Sequence, residues 1–314
     1  MNRRCHNHDY HAPGFYMVTI TTRDRRPLFG ACANNRCTLN ADGWLAHKLW
    51  HAIPNDYPEI EVKVLCIMPD HLHGIVYVTK HMEKPLGTAI RAFKSQVTSA
   101  LRKKHNNPAL APWNPGYNDK CVWRRGSLAA FRNYVMDNPR RYCLKKANPD
   151  LFRKTTNLAH ACLPAEKTWN GYGNLFLLDR PEKRAVRVSR KATEKEIAAL
   201  REDVLQNAAE GVVIVSPFIS PGEREIAKAI LNTPKGDVIL MKHGGFPPLF
   251  KPHGRFFDLC LEGRLLILSA VPCAGHVEAT AKPSGSVRFV HEPSKLSRET
   301  CLAMNAWCEH IATI

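Results

Sequence analysis

The sequence predicts an α+β fold, in which a ferredoxin-like (split βαβ) sandwich with an antiparallel sheet precedes a smaller α/β domain. In the first half, strand-like and helix-like periodicities follow one another in the order β-α-β-β-α-β-α. In the second half, short apolar strands alternate with helical segments, as they do in parallel α/β domains. The hydrophobic fraction of 44% and the charged fraction of 23% are ordinary for a folded globular chain.

The elements of the first half follow from local patterns. Residues 14–22 are β-branched and aromatic, which predicts a strand. Asn40 is a predicted N-cap, and apolar residues then recur at helical spacing as far as Pro54. The remaining predicted elements are strands 61–68 and 71–78 around a turn at Pro69-Asp70, a helix over 86–104, a strand over 120–123, and a helix from Ser127.

A domain boundary is predicted where the periodicity is lost. Residues 148–172 are rich in Asn, Pro, Lys and Thr, so the prediction is a domain over 1–150, a linker over 151–171 and a second domain over 172–314. The elements predicted for the second domain are strands 174–179 and 184–189, helix 193–209, strand 211–216, a helix from Pro221, strands 237–241 and 263–270, and helix 297–311.

Positive charge is concentrated in the first half. The formal net charge is +17, and residues 1–150 carry 23 Lys and Arg against 11 Asp and Glu. Such an excess suits a polyanionic partner, because every neutralised phosphate releases condensed counterions. A basic protein without such a partner is the alternative reading of charge alone.

The lack of a recognisable targeting segment and the scatter of the cysteines predict the cellular compartment. No apolar run is long enough to span a bilayer, and the first residues lack the apolar core of a secretory signal. The 11 cysteines are scattered and include no CxxC pair. We therefore expect reduced thiols in the cytoplasm, without disulfides or a thiolate zinc site.

Two histidines lie in the second strand of the predicted hairpin. Alternate side chains of a strand face the same way, so His71 and His73 share one face while Leu72 points into the core. Two imidazoles so placed can bind one divalent cation. The alternative is a pair of structural or surface histidines.

A tyrosine and an asparagine lie one turn apart on the helix from Ser127. At this spacing, Tyr134 and Asn138 share a helical face, and Asn138 could add an oxygen ligand to the two imidazoles. A nearby cation would favour the phenolate of Tyr134, whose hydroxyl is a poor nucleophile at neutral pH. Alternatively, Asn138 before Pro139 only caps a new helix, and Tyr134 only packs at the edge of the core.

These motifs, taken together, resemble a known family. The HxH run 68–76 and the YxxxNP helix 127–139, in this order, look like the HUH single-strand nucleases of the IS200-like tyrosine transposases, and especially their REP-associated branch. Residues 13–20 and 25–30, Phe93-Lys94-Ser95 and 123–126 are also similar, and the resemblance covers about 8–147. Where that branch often has a His-Asp pair, this chain has Tyr117-Asn118-Asp119.

The resemblance implies an activity. The chain would be a metal-dependent single-stranded DNA endonuclease and strand transferase acting on hairpin-containing DNA. Tyr134 would form a 5′-phosphotyrosine, while His71, His73 and Asn138 would hold Mg²⁺ or Mn²⁺. It also implies a homodimer or monomer in the bacterial cytoplasm, associated with the nucleoid. The alternatives are a non-catalytic nucleic-acid-binding regulator on the same fold, or a hydrolase with zinc on the two histidines.

Basic and aromatic residues around these motifs are candidate DNA contacts. Trp113, Tyr117 and Trp123 could stack on unpaired bases. A solvated charge or a packed aromatic ring is the alternative for each of these positions. The basic candidates for phosphate contacts are Arg91, Lys94, Arg102, Lys103, Lys104, Arg124 and Arg125.

The second domain offers one further candidate site. An apolar strand at 212–216 leads into a helix that opens at Pro221-Gly222-Glu223, and the amides of a helix N-terminus can bind an anion. This stretch, with 242–246 and 256–260, faintly resembles the Rossmann-like domain of DprA-type DNA-processing proteins. A scaffold for dimerisation or for gripping duplex DNA is the alternative.

Overall fold

The structure is a computed structural model that describes residues 8–122, 127–247, 250–271 and 296–313. The chain divides into two compact units, Met1–Ala147 and Asn148–Ile314. None of the helices in the described ranges combines the length and the apolar character that crossing a membrane requires.

The first unit contains a four-stranded antiparallel sheet, a separate hairpin and five helices within the described residues. Its elements are β1 (Gly14–Thr21), β2 (Gly30–Ala33), β3 (Arg36–Leu39), α1 (Ala41–His51), α2 (Ile53–Asp56), β4 (Ile60–Met68), β5 (His71–Val78), α3 (Leu86–Lys104), β6 (Asn118–Cys121), α4 (Ser127–Met136) and α5 (Asn138–Ala147). The sheet has the order β4-β5-β1-β6, and β2 and β3 form the hairpin. The predicted strands and helices occur in the predicted order, but the β2–β3 hairpin and the short helix α2 were not predicted, and the last strand covers 118–121 instead of 120–123.

The two faces of this sheet are covered by different helices. Leu72 and Val76 of β5 pack with Trp50 of α1 and Phe93 of α3 in the main core. On the other face, Met17 and Ile75 pack against Val135 of α4, which is fully buried. Because β5 alternates between these faces, it presents His71 and His73 on the α4 side, as the sequence predicts.

Helix α1 begins as predicted. The Asn40 side chain accepts hydrogen bonds from the backbone amides of Asp42 and Gly43, which confirms its N-cap role. Farther along the helix, the Trp50 ring lies directly over Gly74 of β5 and occupies the space that a side chain would need. Gly74 therefore allows a close contact between helix and strand beside the histidines.

The predicted tyrosine helix is interrupted at Asp137. Helix α4 ends at Met136 and α5 begins at Asn138, although the amide of Arg141 still donates to the Asp137 carbonyl at 3.0 Å. Pro139 explains the interruption, because it has no amide hydrogen to continue the helical ladder. Asn138 therefore begins a new helix, which is the alternative role that the sequence analysis gave to this residue.

The second unit is built on a six-stranded mixed sheet. Its elements are β7 (Lys154–Leu158), β8 (Thr168–Gly173), β9 (Lys183–Ala185), α6 (Glu194–Glu210), β10 (Val213–Ser216), α7 (Pro221–Asn232), β11 (Val238–His243), α8 (Arg255–Leu261), β12 (Leu265–Val271) and α9 (Arg298–Thr313). The strand order is β7-β8-β12-β11-β10-β9. Strands β9 to β12 are parallel, whereas β8 is antiparallel to β12 and to β7.

Helices cover both faces of this second sheet. On one face, Val204 of α6, Ile226 of α7 and Leu259 of α8 belong to one buried cluster. On the other face, Met304 and Ile311 of α9 pack in a separate cluster. The four parallel strands agree with the α/β prediction, and the antiparallel β7 and β8 add to it.

Two expectations for the start of the second unit differ from the structure. The stretch 151–171, expected as a linker, contains β7 and most of β8, because β8 pairs with β12 and buries Trp169 and Tyr172. The expected strand over 174–179 is instead a 3₁₀ turn, Leu175–Leu178. There the Asn174 side chain accepts from the Phe176 amide, a local bond that favours a turn over a strand.

The cysteine prediction is wrong for one pair. Cys32 and Cys37 form a disulfide across the β2–β3 hairpin, where the strand register sets them directly opposite each other. A spacing of five residues does not reveal this pairing unless the hairpin is already known.

Candidate active site

The two histidines of the HxH run lie side by side on β5. The ring centroids of His71 and His73 are 4.8 Å apart, with the rings nearly perpendicular. His73 is buried, with 6% of its surface exposed, and the His71 side chain is 12% exposed. Both imidazoles are therefore held in place and shielded from bulk water.

A different neighbour engages the Nδ1 atom of each imidazole. His73 Nδ1 lies 2.8 Å from the hydroxyl of Thr19, which is its direct cross-strand partner on β1. His71 Nδ1 lies 2.6 Å from a carboxylate oxygen of Asp70. A cation bound by these rings would consequently be ligated through Nε2, and Nδ1 would then donate its hydrogen to Thr19 or Asp70. Partners of this kind orient metal-binding histidines in proteins.

Asp70 is ionised beside His71. Burial alone would raise its pKa, but the hydrogen bond and charge of His71, together with the charge of Arg25, outweigh burial and hold the pKa below its ordinary value. Arg25 Nη1 lies 3.2 Å from the second carboxylate oxygen. Asp70 thus connects an imidazole to a surface guanidinium.

Helix α4 brings Tyr134 to the histidines. The ring centroids of His73 and Tyr134 are 5.6 Å apart in an edge-on arrangement. Phe131 and Leu128, at helical spacing from Tyr134 and Val135, pack with Val135 on the sheet, and this apolar contact fixes the rotation of α4. Tyr134 is half-buried at the edge of this cluster.

Asn138 lies one turn beyond Tyr134. Its side-chain amide donates to the Tyr134 carbonyl at 2.8 Å, which bridges the interruption between α4 and α5. In the described residues, no protein group donates a hydrogen bond to the oxygen of this amide. Asn138 therefore stabilises the helix junction and presents an oxygen atom that suits a cation.

Helix α5 adds two residues that the sequence analysis missed. The guanidinium carbon of Arg141 lies 5.7 Å from the centre of the Tyr134 ring, in cation–π range. Burial, followed by the charges of Asp70 and Cys143, raises the pKa of Tyr142. Arg141 follows the tyrosine by seven residues, two helical turns, and this spacing was the available signal.

His71 and His73 are the residues here that could hold a divalent cation. Two imidazole nitrogens and an amide oxygen suit Mn²⁺ and, less well, Mg²⁺, which prefers oxygen ligands. Across the described residues, no group of three or more His, Cys, Asp and Glu side chains is arranged to hold a metal ion. A third ligand beside His71 and His73 would thus be an amide such as Asn138, a water molecule or the substrate itself.

The basic residues proposed as DNA contacts have different surroundings. Lys94 donates to the carbonyls of Asn114 and Gly116 at 2.7 and 2.6 Å, and burial lowers the pKa of its ammonium. It therefore anchors the loop before β6. Arg91 is exposed and donates to Thr88 on its own helix. Arg124 and Arg125 lie outside the described residues.

Two of the three proposed stacking platforms are core residues. Trp113 is 8% exposed and Tyr117 is 6% exposed, and both belong to the main core of the first unit. The interpretation of these rings as base-stacking platforms is wrong, because packing already covers their faces. Trp123 lies outside the described residues.

The N-terminus of α7 is occupied by its own side chain. The buried carboxylate of Glu223 accepts from the amides of Val188, Ile219 and Ser220 at 3.1, 2.7 and 3.1 Å. The Ser220 hydroxyl in turn accepts from the Glu223 amide. The Glu223 amide is therefore satisfied within the protein, and the buried Glu223 carboxylate beside this helix N-terminus would repel an anion.

Comparison with known proteins reveals distant similarities. No family model matches the chain. An uncharacterized protein from Haemophilus influenzae is 27% identical over 156 residues, which cover 43% of this chain and 86% of that protein. Neither this identity nor its description assigns a family.

Two solved structures are also similar to part of the chain. The structure of a REP-associated tyrosine transposase bound to a REP hairpin matches 44% of this chain and 74% of its own, with a TM-score of 0.36 and 17% identity. A putative transposase from Deinococcus radiodurans R1 matches 42% of this chain and 95% of its own, with a TM-score of 0.29 and 14% identity. Similarity at this level leaves the function to be argued from the site.

Proposed function

We propose that the first unit is a metal-dependent single-stranded DNA endonuclease and strand transferase that acts through Tyr134. The proposal rests mainly on one observation: the rings of His73 and Tyr134 lie edge to face, with a centroid distance of 5.6 Å, beside His71. A single phosphodiester is large enough to contact both a cation on the imidazoles and a tyrosine oxygen.

The cation would be held by Nε2 of His71 and His73 and by the amide oxygen of Asn138. When bound, it would neutralise charge on the scissile phosphate and lower the barrier to attack. Thr19 and Asp70 would keep the two imidazoles in the tautomer that ligates. The burial of His73 would limit competition from bulk water.

Tyr134 would act as the nucleophile. Its phenolic proton is lost to solvent, its oxygen forms a bond to phosphorus, and the bond from phosphorus to the 3′-oxygen breaks. The 3′-oxygen leaves and takes up a proton, while the 5′-phosphate stays on Tyr134. Arg141 would attract the phosphate through its positive charge. The reverse step rejoins the DNA without ATP, because the phosphotyrosine conserves the phosphodiester energy.

The fold and the charge support this proposal. The sheet order β4-β5-β1-β6 with antiparallel neighbours supports the split βαβ, ferredoxin-like sandwich that we propose for this unit and that is expected for HUH nucleases. The excess of Lys and Arg over Asp and Glu in residues 1–150 suits DNA. The proposed substrate is hairpin-containing single-stranded DNA in the bacterial cytoplasm. The chain would act as an IS200-like, REP-associated type of transposase, as a homodimer or monomer, with a Rossmann-like accessory unit.

The deciding experiment uses the full chain with labelled single-stranded hairpins and Mn²⁺ or Mg²⁺, analysed on denaturing gels. We expect a covalent protein–DNA band that disappears in Tyr134→Phe and on addition of EDTA. Tyr77→Phe is the matched control, because Tyr77 is a strand residue on the same sheet face whose ring stacks on Phe15.

The alternative function predicts a different result. A non-catalytic regulator would bind the hairpins with equal affinity in the wild type and in Tyr134→Phe, and would give no adduct with any cation. Such a result would show that the chain is a DNA-binding protein and not an enzyme. Zinc-dependent hydrolysis that survives Tyr134→Phe would instead indicate a hydrolase.

A further inference from the structure

Helix α1 carries a row of three rings on its exposed side. Trp44, His47 and His51 follow one another at one-turn spacing, and Trp44 is 59% exposed. The opposite side of the helix is fully buried through Ala46 and Trp50. The rings are therefore not needed for the core, and large exposed aromatic side chains are uncommon on a polar helix face.

The two histidines of this row are close enough to share a cation. Their ring centroids are 4.6 Å apart, and the rings are tilted by 47°. Two imidazoles that ligate one cation at about 2.1 Å have centroids about 4.6 Å apart for a right angle at the metal, and about 5.3 Å apart for a tetrahedral angle. The observed separation matches the right angle, which is typical of tetragonal and octahedral coordination.

The nitrogen atoms of both rings are available to a ligand. Within the described residues, neither His47 nor His51 forms a hydrogen bond or an ion pair with another protein group; their ring contacts are with each other and with Trp44. Within that part of the chain, a bound cation would therefore displace no protein partner of either ring.

We propose that His47 and His51 form a bidentate surface site for a late first-row divalent cation of the Ni²⁺ and Cu²⁺ type, with water in the remaining positions. The i, i+4 spacing on a helix is the spacing at which two histidines converge on one metal. Affinity for such ligands rises toward Ni²⁺ and Cu²⁺ along the first row.

This site is separate from the one proposed for DNA cleavage. Helix α1 packs on the sheet face that carries Leu72 and Val76, whereas His71 and His73 lie on the face covered by α4. Binding at α1 therefore does not depend on the proposed function, and either proposal can fail without the other.

Trp44 supplies a local readout. Its ring centroid is 5.2 Å from that of His47, so a paramagnetic ion bound there would quench its fluorescence. The experiment titrates the untagged full chain, stripped with EDTA, with NiCl₂, because Ni²⁺ does not oxidise the cysteines. We expect saturable quenching whose midpoint rises about tenfold or more in His47→Gln and in His51→Gln, as one chelating arm is lost.

Three controls make the result specific. His81→Gln removes another exposed histidine and should leave the midpoint unchanged. Trp44→Phe should remove the quenched signal while calorimetry still detects Ni²⁺ binding. A double variant of His71 and His73 should keep the quenching. If His47→Gln and His51→Gln quench like the wild type, or if Zn²⁺ binds more tightly than Ni²⁺, the proposed site or its right-angle geometry is wrong.

Discussion

The orientations of the His71 and His73 rings depend on the partners of their Nδ1 atoms, which are Asp70 and Thr19. Thr19 belongs to β1, and its contact with His73 exists only because the two strands pair in this register. Asp70 is adjacent in sequence, but its carboxylate is fixed from the other side by Arg25. A displaced imidazole would lose its alignment with a shared cation, so these residues should control metal affinity.

Replacing Thr19 by Val should weaken metal binding while preserving the fold. Valine keeps the shape and the β-propensity but removes the hydroxyl, and the loss of an outer partner typically costs about tenfold to a hundredfold in metal affinity. We therefore expect the Mn²⁺ concentration needed for half-maximal DNA cleavage, and the Kd for Mn²⁺ measured by electron paramagnetic resonance, to rise by that factor.

Thr19→Ser is the matched control, since it restores a hydroxyl at the same position and should recover most of the affinity. An unchanged Kd for Mn²⁺ in Thr19→Val would show that this hydrogen bond does not position His73. A lower melting temperature in both variants would point to a structural role instead.

The sequence predicted the elements that carry the candidate site better than the contacts between them. The spacing of His71 and His73 revealed their shared face, because strand periodicity is a local property. Thr19 and Arg141 were missed, because their roles depend on strand register and on the orientation of α5. Tyr117 was considered as a base-stacking ring but is buried, because burial of an aromatic ring depends on tertiary packing.

At the scale of the elements, α1 and α3 are joined by a charged contact at one end. The Asp42 carboxylate, near the start of α1, accepts from Lys104 at 2.5 Å and from His105 at 2.8 Å, at the end of α3. Burial alone would raise the pKa of Asp42, but these two partners outweigh it and lower the pKa below its ordinary value of 3.8.

Replacing Asp42 by Asn should therefore destabilise the first unit in a pH-dependent way. A carboxyl whose pKa is lowered on folding stabilises fully above its unfolded pKa, and this stabilisation is lost as the pH falls through the folded pKa. We expect Asp42→Asn to cost about 1 kcal/mol at pH 7. The difference from the wild type should shrink as the pH falls below about 4.

Urea denaturation of both proteins between pH 7 and pH 3.5 measures this difference. Asp56→Asn is a suitable control, because Asp56 is exposed and contacts α3 through an uncharged glutamine. A difference between wild type and Asp42→Asn that is constant across this range would contradict the ionic origin of the contact.

The contact between α1 and β5 leaves no room for a side chain at Gly74. A Cβ atom there would collide with the ring of Trp50, which is fully buried and cannot move aside. We expect Gly74→Ala to destabilise the first unit by about 1–3 kcal/mol, as overpacking of a core does. Thermal and urea unfolding of the variant measure this loss.

A second substitution separates the clash from other effects. If the Trp50 ring is the obstacle, Trp50→Leu should cost less in the Gly74→Ala background than in the wild type, and a double-mutant cycle measures this coupling. If the effects of Gly74→Ala and Trp50→Leu are additive, the destabilisation by Gly74→Ala comes from the backbone at position 74 and not from a clash with the Trp50 ring.

The elements with strong local signals were predicted well, and those defined by pairing were not. Helices α6 and α7 begin at capping boxes, Thr193 with Glu196 and Ser220 with Glu223, and such signals are visible in the sequence. Strand β8 was assigned to a linker, because Asn170, Gly171 and Gly173 interrupt the strand-favouring residues of its sequence TWNGYG. It is a strand because β7 and β12 supply its hydrogen bonds.

At the scale of the whole molecule, each unit has its own hydrophobic core. The main core of the first unit lies between its sheet and helices α1 and α3, whereas the second unit has clusters on both faces of its six-stranded sheet. The charge is also divided unequally, with 23 Lys and Arg against 11 Asp and Glu in residues 1–150. From these two facts, we expect the first unit to provide most of the proposed DNA affinity.

A fragment of residues 1–147 should therefore fold and bind hairpin DNA by itself. It retains the complete sheet, the main core, both histidines and Tyr134. Because phosphate contacts set the salt dependence of DNA binding, the slope of log K against log salt concentration should be nearly the same for the fragment and the full chain. Fluorescence anisotropy at several salt concentrations, together with a single cooperative urea transition, tests both parts of this prediction. A folded fragment with a much smaller slope would mean that the second unit supplies phosphate contacts, and its role would then extend to gripping the DNA.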